Sequence, residues 1–302
     1  MSERMVKANG IDVWTEDFGD PSNPCILLVM GATAQGILWQ DEFCQALADA
    51  GRHVIRYDNR DTGQSTCFDF TSQPYTLADL ANDALGVLDA YGVERAHIVG
   101  ASMGGMIAQT LAIEHPERIL TVTSIMSTPA GRSLQLAMSG TGVAGLPGPA
   151  PRLLQAMVES AAHPPTNDAE RIETAVRLWG VLAGSADPID EAAIRARETR
   201  VLARANNIAA AQNHGLAVAS SPDRMDALRA VTAPTLVIHG TDDPICPVEH
   251  GKLTAACIPG AALMLIDGMG HDLPARVLGD VLAAIVKHTG AASGAFMNAA
   301  AV

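Results

Sequence analysis

Eight short apolar runs are spaced along the 302-residue chain, and segments of helical length follow several of them. The later runs are almost continuously apolar, as expected of strands covered on both faces of a parallel sheet. Amphipathic segments lie at residues 40–50, 77–91, 103–115 and 277–289. This alternation predicts an α/β fold with a mostly parallel, eight-stranded sheet. The eight runs are RMVKA, IDVWTEDF, CILLVM, HVIRY, HIVG, LTVTSIM, TLVIHG and LMLID.

The strand pattern stops between about residues 131 and 222, where GTGVAGLPGPAP predicts a loop and three alanine-rich stretches predict helices. We therefore expect a core formed by residues 1–130 and 223–290 and a helical cap formed by residues 131–222 over one end of the sheet. Residues 291–302 are expected to form a flexible tail. Within the core, Thr76 with Asp79 is typical of a capping box, and Gly92 of a helix end.

The net charge and the cysteines indicate which classes of binding partner and which cellular compartment to expect. A net charge of −13 disfavours nucleic acid and anionic membrane surfaces, because no basic stripe is available to neutralise phosphates. The N-terminal MSERMVKANGIDVW lacks the pattern of a signal peptide, and we expect no membrane span. The five cysteines show no C-x-x-C spacing, which indicates free thiols rather than disulfides or a zinc site. These features predict a cytoplasmic protein.

The segment GASMG places Ser102 between two glycines, directly after the run AHIVG and before the helical pattern MIAQTLAIEH. It could be a close-packed turn in which Ser102 caps the helix. A phosphate loop would need a different glycine pattern, and a metal site would need paired histidines. The remaining interpretation is a nucleophile elbow, in which a tight turn presents the serine at the carboxyl end of the sheet. The strand before and the helix after the motif favour the elbow.

A serine nucleophile needs a base and an acid that orients the base. Both are found after later strands of the predicted sheet. LVIHG runs into a loop that carries Asp242 and Asp243, and LMLID runs into His271 on a mobile loop flanked by glycines. The stretch after LTVTSIM has no carboxylate, so the acid is either Asp242 or Asp243.

The negative charge on an attacked carbonyl needs hydrogen-bond donors. The residue after the nucleophile, Met103, supplies one main-chain N–H, and Ala32 beside Gly31 in the loop after CILLVM supplies the other.

With these motifs the chain resembles the α/β-hydrolase superfamily, and more narrowly the aclacinomycin methylesterase group. The sequence segments that carry the narrower resemblance are DFGDPSNPCILLVMG, DEFCQALADAGRHVIRYDNRDTGQST, SMG, DPICPVEHGK and GMGHDLP. In the superfamily pattern the acid precedes a proline, which implies Asp243. The turn DNRDTGQS has Asp61 where glycine is commoner, as in this narrower group. Ala32 stands where the methylesterases tend to have glycine, so the floor of the pocket gains a methyl group.

The resemblance implies a cofactor-free carboxylic-ester hydrolase whose catalytic residues are Ser102, Asp243 and His271. Its partner would be a small-molecule ester, with no metal and no nucleic acid involved. A cap with small side chains and methionines favours a bulky apolar or polyketide-like acid, and the leaving alcohol is expected to be small, as in a methyl ester. Candidate substrate-binding residues are Gly31, Trp39, Met126, Met138, Trp179 and His214.

Other functions are compatible with the same serine. Lactonases, perhydrolases and C–C bond hydrolases resemble this scaffold. A non-catalytic binding protein would usually have lost one of the three catalytic residues, and none is lost here.

Overall fold

The computed structural model describes residues 2–138, 146–186 and 188–299, and for residues 291–299 it describes the backbone alone. Eight strands form one sheet in the spatial order β1, β2, β4, β3, β5, β6, β7, β8. The pairs β1–β2 and β2–β4 are antiparallel and all others are parallel, which confirms the mostly parallel sheet. The strands are β1 (Ser2–Ala8), β2 (Ile11–Phe18), β3 (Cys25–Val29), β4 (His53–Tyr57), β5 (Ala96–Ala101), β6 (Ile119–Ile125), β7 (Thr235–Gly240) and β8 (Ala262–Ile266).

The helices fall into a core set and an inserted set. In chain order they are α1 (Asp41–Asp49), α2 (Leu77–Ala90), α3 (Met103–Glu114), α4 (Gly131–Met138), α5 (Pro151–Ala162), α6 (Asp168–Leu182), α7 (Glu191–Arg204), α8 (Asn213–Ser220), α9 (Val248–Cys257) and α10 (Ala275–Ala299). Helices α4 to α8 lie between β6 and β7, and this inserted segment, predicted to form a cap, is called the cap below. The described part of the cap therefore contains five helices, where the alanine-rich stretches predicted three.

The sheet core follows from the alternation of side chains along buried strands. In β3, Cys25, Leu27 and Val29 pack with α2 and α3 on one face. The intervening Ile26 and Leu28 pack with α1 and α10 on the other face. Because both faces are covered, every residue of β3 is apolar and buried, as the sequence predicted.

Local signals agree with the helix ends. The Thr76 N–H donates to the Asp79 side chain at 2.8 Å, so the capping box at the start of α2 is formed. Gly92, just beyond α2, has a φ of +67°, a conformation that favours glycine. The final helix continues through residue 299, so the backbone of the predicted tail is helical to that point, and its flexibility stays a prediction.

The cap lies against the loops that follow the parallel strands. Its contacts reach the loops after β3, β7 and β8. The predicted GTGVAGLPGPAP loop falls partly on residues 139–145, which lie outside the described residues, and its last residue begins α5. Among the described helices, none is both long enough and apolar enough to cross a membrane.

Candidate active site

Ser102 occupies the sharp turn between β5 and α3. Its φ of 55° and ψ of −119° place a non-glycine residue in a strained backbone region, as in a nucleophile elbow. The Ser102 N–H donates to the Ile125 carbonyl at 2.9 Å, which ties the turn to the end of β6. The Ser102 side chain makes no capping hydrogen bond to α3. The helix-cap interpretation of this serine is therefore not supported by the structure.

The glycines around Ser102 allow three elements to approach one another. A Cβ atom at Gly100 would lie 2.1 Å from the Gly104 carbonyl oxygen, and one at Gly104 would lie 2.1 Å from the Val29 carbonyl oxygen. A Cβ atom at Gly31 would lie 3.0 Å from the Ser102 Cβ and 3.6 Å from its Oγ. Gly31 therefore lies directly against the serine, on the floor of any pocket formed there.

Asp243 and His271 come together from the loops after β7 and β8. Asp243 Oδ2 lies 2.8 Å from His271 Nδ1, and both side chains are buried. The other carboxylate oxygen, Oδ1, accepts the N–H groups of Ile245 at 2.9 Å and Cys246 at 2.8 Å. Because the carboxylate can only accept a hydrogen bond, the proton of the neutral ring is on Nδ1 and Nε2 is unprotonated. This is the form that a general base requires.

Asp242 points elsewhere. Its Oδ2 accepts the Ser185 N–H at 3.0 Å, and the hydrogen bonds from Ser185 lower the pKa of Asp242. Of the two neighbouring aspartates, Asp243 is the one that contacts the histidine.

A second histidine, His239, supports the acid loop. Its Nε2 lies 2.7 Å from the Cys246 carbonyl oxygen and 3.6 Å from Asp243 Oδ2. Burial lowers the pKa of His239, which favours a neutral ring that donates to the carbonyl. A histidine at the end of a strand carries no local sequence signal of such a contact, so this role of His239 was not predicted from the sequence.

The histidine loop is held by the cap. The His271 N–H donates to the Leu182 carbonyl at 2.8 Å. A Cβ atom at Gly184 would lie 1.8 Å from the Gly268 oxygen, and one at Gly270 would lie 2.1 Å from the Leu182 oxygen. Gly184 of the cap and Gly270 of the histidine loop therefore permit close packing of two chain segments, and the mobility of the loop stays a prediction.

The predicted oxyanion donors lie beside Ser102. Met103 is the first residue of α3, a position whose N–H has no acceptor within the helix. Ala32 follows Gly31 in a turn closed by the hydrogen bond from the Ala34 N–H to the Gly31 oxygen, at 3.4 Å. Within the described part of the chain, the Ala32 N–H has no protein acceptor.

The five candidate substrate-binding side chains are in different settings. Met126 directly follows Ile125, which binds the elbow, and is buried with a φ of 43°. Met138 is half-buried at the end of α4. Trp39 stacks on Phe43, with ring centroids 5.4 Å apart, in the core on the α1 face of the sheet. Trp39 therefore packs in the core around α1, and its role as a pocket wall stays a prediction.

Trp179 and His214 also have other partners. The indole of Trp179 donates to Glu198 at 3.1 Å, and Arg197 lies over its ring. Trp179 therefore joins α6 to polar residues of α7, and its role in substrate binding stays a prediction. His214 is buried with both ring nitrogens hydrogen-bonded to the backbone, so it is not available to contact substrate. Among the residues that the structure describes, no three His, Cys, Asp or Glu side chains are grouped to hold a metal ion.

A sheet of this topology, with a serine elbow after β5 and an Asp–His pair after β7 and β8, defines an α/β hydrolase. A family model described as alpha/beta hydrolase fold matches residues 24–274, and the chain belongs to this family.

Its relatives include rhodomycin D methylesterase DauP from Streptomyces sp. (strain C5), which is 38% identical over 97% of this chain and 100% of the relative. Rhodomycin D methylesterase DnrP from Streptomyces peucetius matches with the same identity and coverage. The resemblance to the methylesterase group is thereby confirmed. An enol-lactonase from Burkholderia xenovorans LB400 superposes with a TM-score of 0.72 and 22% identity, covering 94% of this chain and 99% of that one, a likeness of fold alone.

Proposed function

We propose that the chain is a serine carboxylic-ester hydrolase that acts through an acyl-enzyme. The observation that carries the proposal is the buried pair of Asp243 and His271, 2.8 Å apart in the loops after β7 and β8, at the same edge of the parallel sheet as the Ser102 elbow after β5. A hydroxyl becomes a competent nucleophile only when such a base removes its proton.

The reaction follows from these groups. Ser102 Oγ attacks the ester carbonyl carbon while His271 Nε2 takes its proton, and Asp243 stabilises the imidazolium that forms. The main-chain N–H groups of Met103 and Ala32 donate to the carbonyl oxygen as it becomes negative. His271 then protonates the departing alcohol, and the acyl group stays on Ser102. Water attacks the acyl-enzyme with the same proton transfers and releases the acid.

The proposed substrate is a methyl ester of a bulky apolar or polyketide-like acid. The likeness to rhodomycin D methylesterases extends over 97% of the chain and so includes the cap as well as the catalytic loops. Gly31, Met126 and Met138 remain the proposed pocket residues, since their backbone or side chains lie at the elbow or at the end of a cap helix. The proposed partner is this small-molecule ester, with no cofactor, metal or nucleic acid, and the proposed compartment is the cytoplasm.

The proposal is tested with a fluorophosphonate probe and an ester panel. The probe should label the parent protein and leave Ser102→Ala unlabelled. The panel compares methyl esters of polycyclic aromatic acids with short aryl acetates, each kcat/KM divided by the rate of alkaline hydrolysis of the same ester. Higher corrected values for the methyl esters support the substrate class. Turnover confined to lactones, to peracid formation or to C–C cleavage would contradict the proposed ester substrate and indicate that other reaction instead. An unlabelled parent protein would refute the serine mechanism.

A further inference from the structure

His214, at the start of α8, bridges two core loops that are distant in sequence. The Thr33 N–H donates to His214 Nδ1 at 3.0 Å, and His214 Nε2 lies 2.8 Å from the Arg60 carbonyl oxygen. A carbonyl only accepts and an amide N–H only donates, so the proton of the neutral ring is on Nε2 and Nδ1 is the acceptor. Burial lowers the pKa of His214, which favours this neutral ring.

The Thr33 backbone is strained where His214 binds it. Thr33 has a φ of 64° and is the third residue of the turn at residues 31–34, the position where a type II turn requires a positive φ. Glycine is favoured there, and a β-branched residue in this region costs on the order of 1–3 kcal/mol. The hydrogen bond to His214 orients the peptide between Ala32 and Thr33 and so stabilises the strained turn.

The partner on the opposite side of the ring is itself fixed. The Arg60 guanidinium makes two hydrogen bonds to Asp83, at 2.6 and 2.7 Å, inside the core. The neighbouring Asp61 accepts the Tyr75 hydroxyl at 2.6 Å. The imidazole therefore links the loop that carries Ala32 to a rigid turn of the core and restrains the position of that loop.

We propose that His214 is a positioning residue of the oxyanion hole: by accepting the Thr33 N–H, it holds the Ala32 N–H where the negative oxygen forms. This inference rests on the proposed ester hydrolysis and concerns how its transition state is stabilised. Oxyanion donors act only within about 2.7–3.1 Å of the oxygen, so a small relaxation of the turn is enough to weaken them.

Two substitutions test the roles of the two ring nitrogens separately. In His214→Asn the amide oxygen can take the place of Nδ1 and accept the Thr33 N–H. In His214→Gln the amide nitrogen can take the place of Nε2 and donate to the Arg60 carbonyl, while the acceptor at Nδ1 is lost. We expect His214→Gln to lower kcat by roughly tenfold to a hundredfold with KM changed by less than about threefold, since only transition-state binding is affected. His214→Asn should restore most of kcat.

The matched control is Asn213→Ala, which removes hydrogen bonds from the same helix to Asp61 and to the Phe68 carbonyl but none to the oxyanion loop. It should destabilise the fold without changing kcat. Phenylboronic acid, which forms a tetrahedral adduct with a reactive serine, should bind His214→Gln more weakly by the same factor as kcat/KM falls. Equal kcat in the Gln and Asn variants, or an equal loss in Asn213→Ala, would overturn the proposal.

A second variant tests the same hydrogen bond without changing His214, in case His214→Gln does not fold. In it, the amide between Ala32 and Thr33 is replaced by an ester, through nonsense suppression with the α-hydroxy acid that corresponds to threonine. It deletes the N–H alone and should lower kcat as the Gln variant does, and an unchanged kcat would overturn the proposal. Failure of the underlying function is distinguishable, because the parent protein would then hydrolyse no ester or Ser102→Ala would keep its activity.

Discussion

The sharpest test of the catalytic assignment exchanges one oxygen of Asp243 for nitrogen. In Asp243→Asn, the N–H groups of Ile245 and Cys246 can only donate, so the amide oxygen must replace Oδ1 and the NH₂ group must face His271. The amide then donates to His271 Nδ1, which moves the ring proton to Nε2. A ring protonated at Nε2 cannot accept the proton of Ser102.

The wrong tautomer should lower kcat about 10⁴-fold, which corresponds to about 5.5 kcal/mol in the activation barrier. The size of the side chain and its backbone contacts are unchanged, so the thermal unfolding midpoint should stay close to that of the parent protein. The assay is steady-state hydrolysis of a methyl ester by both proteins, with circular dichroism as the check on folding.

Asp242→Asn is the matched control one residue away. Its amide oxygen can still accept the Ser185 N–H, and the side chain does not contact the imidazole. We expect activity within about threefold of the parent, because the barrier is then unaffected by more than about 0.7 kcal/mol. A folded Asp243→Asn enzyme within about tenfold of the parent, or a larger loss in Asp242→Asn, would refute the reasoning.

Three further outcomes are expected. Ser102→Ala should lose several orders of magnitude in kcat and keep its fold, since serine and base act as a unit, and residual turnover within about tenfold of the parent would contradict this. Gly104→Ala should lower the free energy of unfolding by about 1–3 kcal/mol or more, because its Cβ would meet the Val29 oxygen at 2.1 Å, whereas Gly279→Ala in α10 has open space and should be neutral or stabilising in urea unfolding. Burial lowers the pKa of His97 to about 4 from 6.5. The unfolded chain therefore binds its proton first, and stability should fall by about 2 kcal/mol from this residue between pH 7.5 and pH 5. His97→Gln should flatten that pH dependence, and an unchanged slope would contradict it.

Much of the fold was determined by the sequence alone, because strands, helices and tight turns have local signatures. The continuous apolar run CILLV predicted a strand buried on both faces, and β3 is buried throughout. The elbow is only partly local: Gly100 is required by its approach to Gly104 in the helix that follows, whereas Gly104 is required by its approach to Val29 of β3. Asp243 and His271 each follow an apolar run closely in the sequence, so their positions after the carboxyl ends of two strands could also be predicted.

The contacts of individual side chains were decided only by the tertiary structure. Trp39 and Trp179 are large apolar residues at plausible positions, yet one packs on Phe43 in the core and the other binds Glu198. His214 meets Thr33 across 181 residues, and His239 contacts the acid loop from the strand before it. Hydrophobic periodicity reports which face of an element is buried, but a hydrogen bond depends on which group lies within about 3 Å after the chain has folded. The candidate catalytic residues could therefore be predicted from the sequence, whereas the side chains that contact and position them could not.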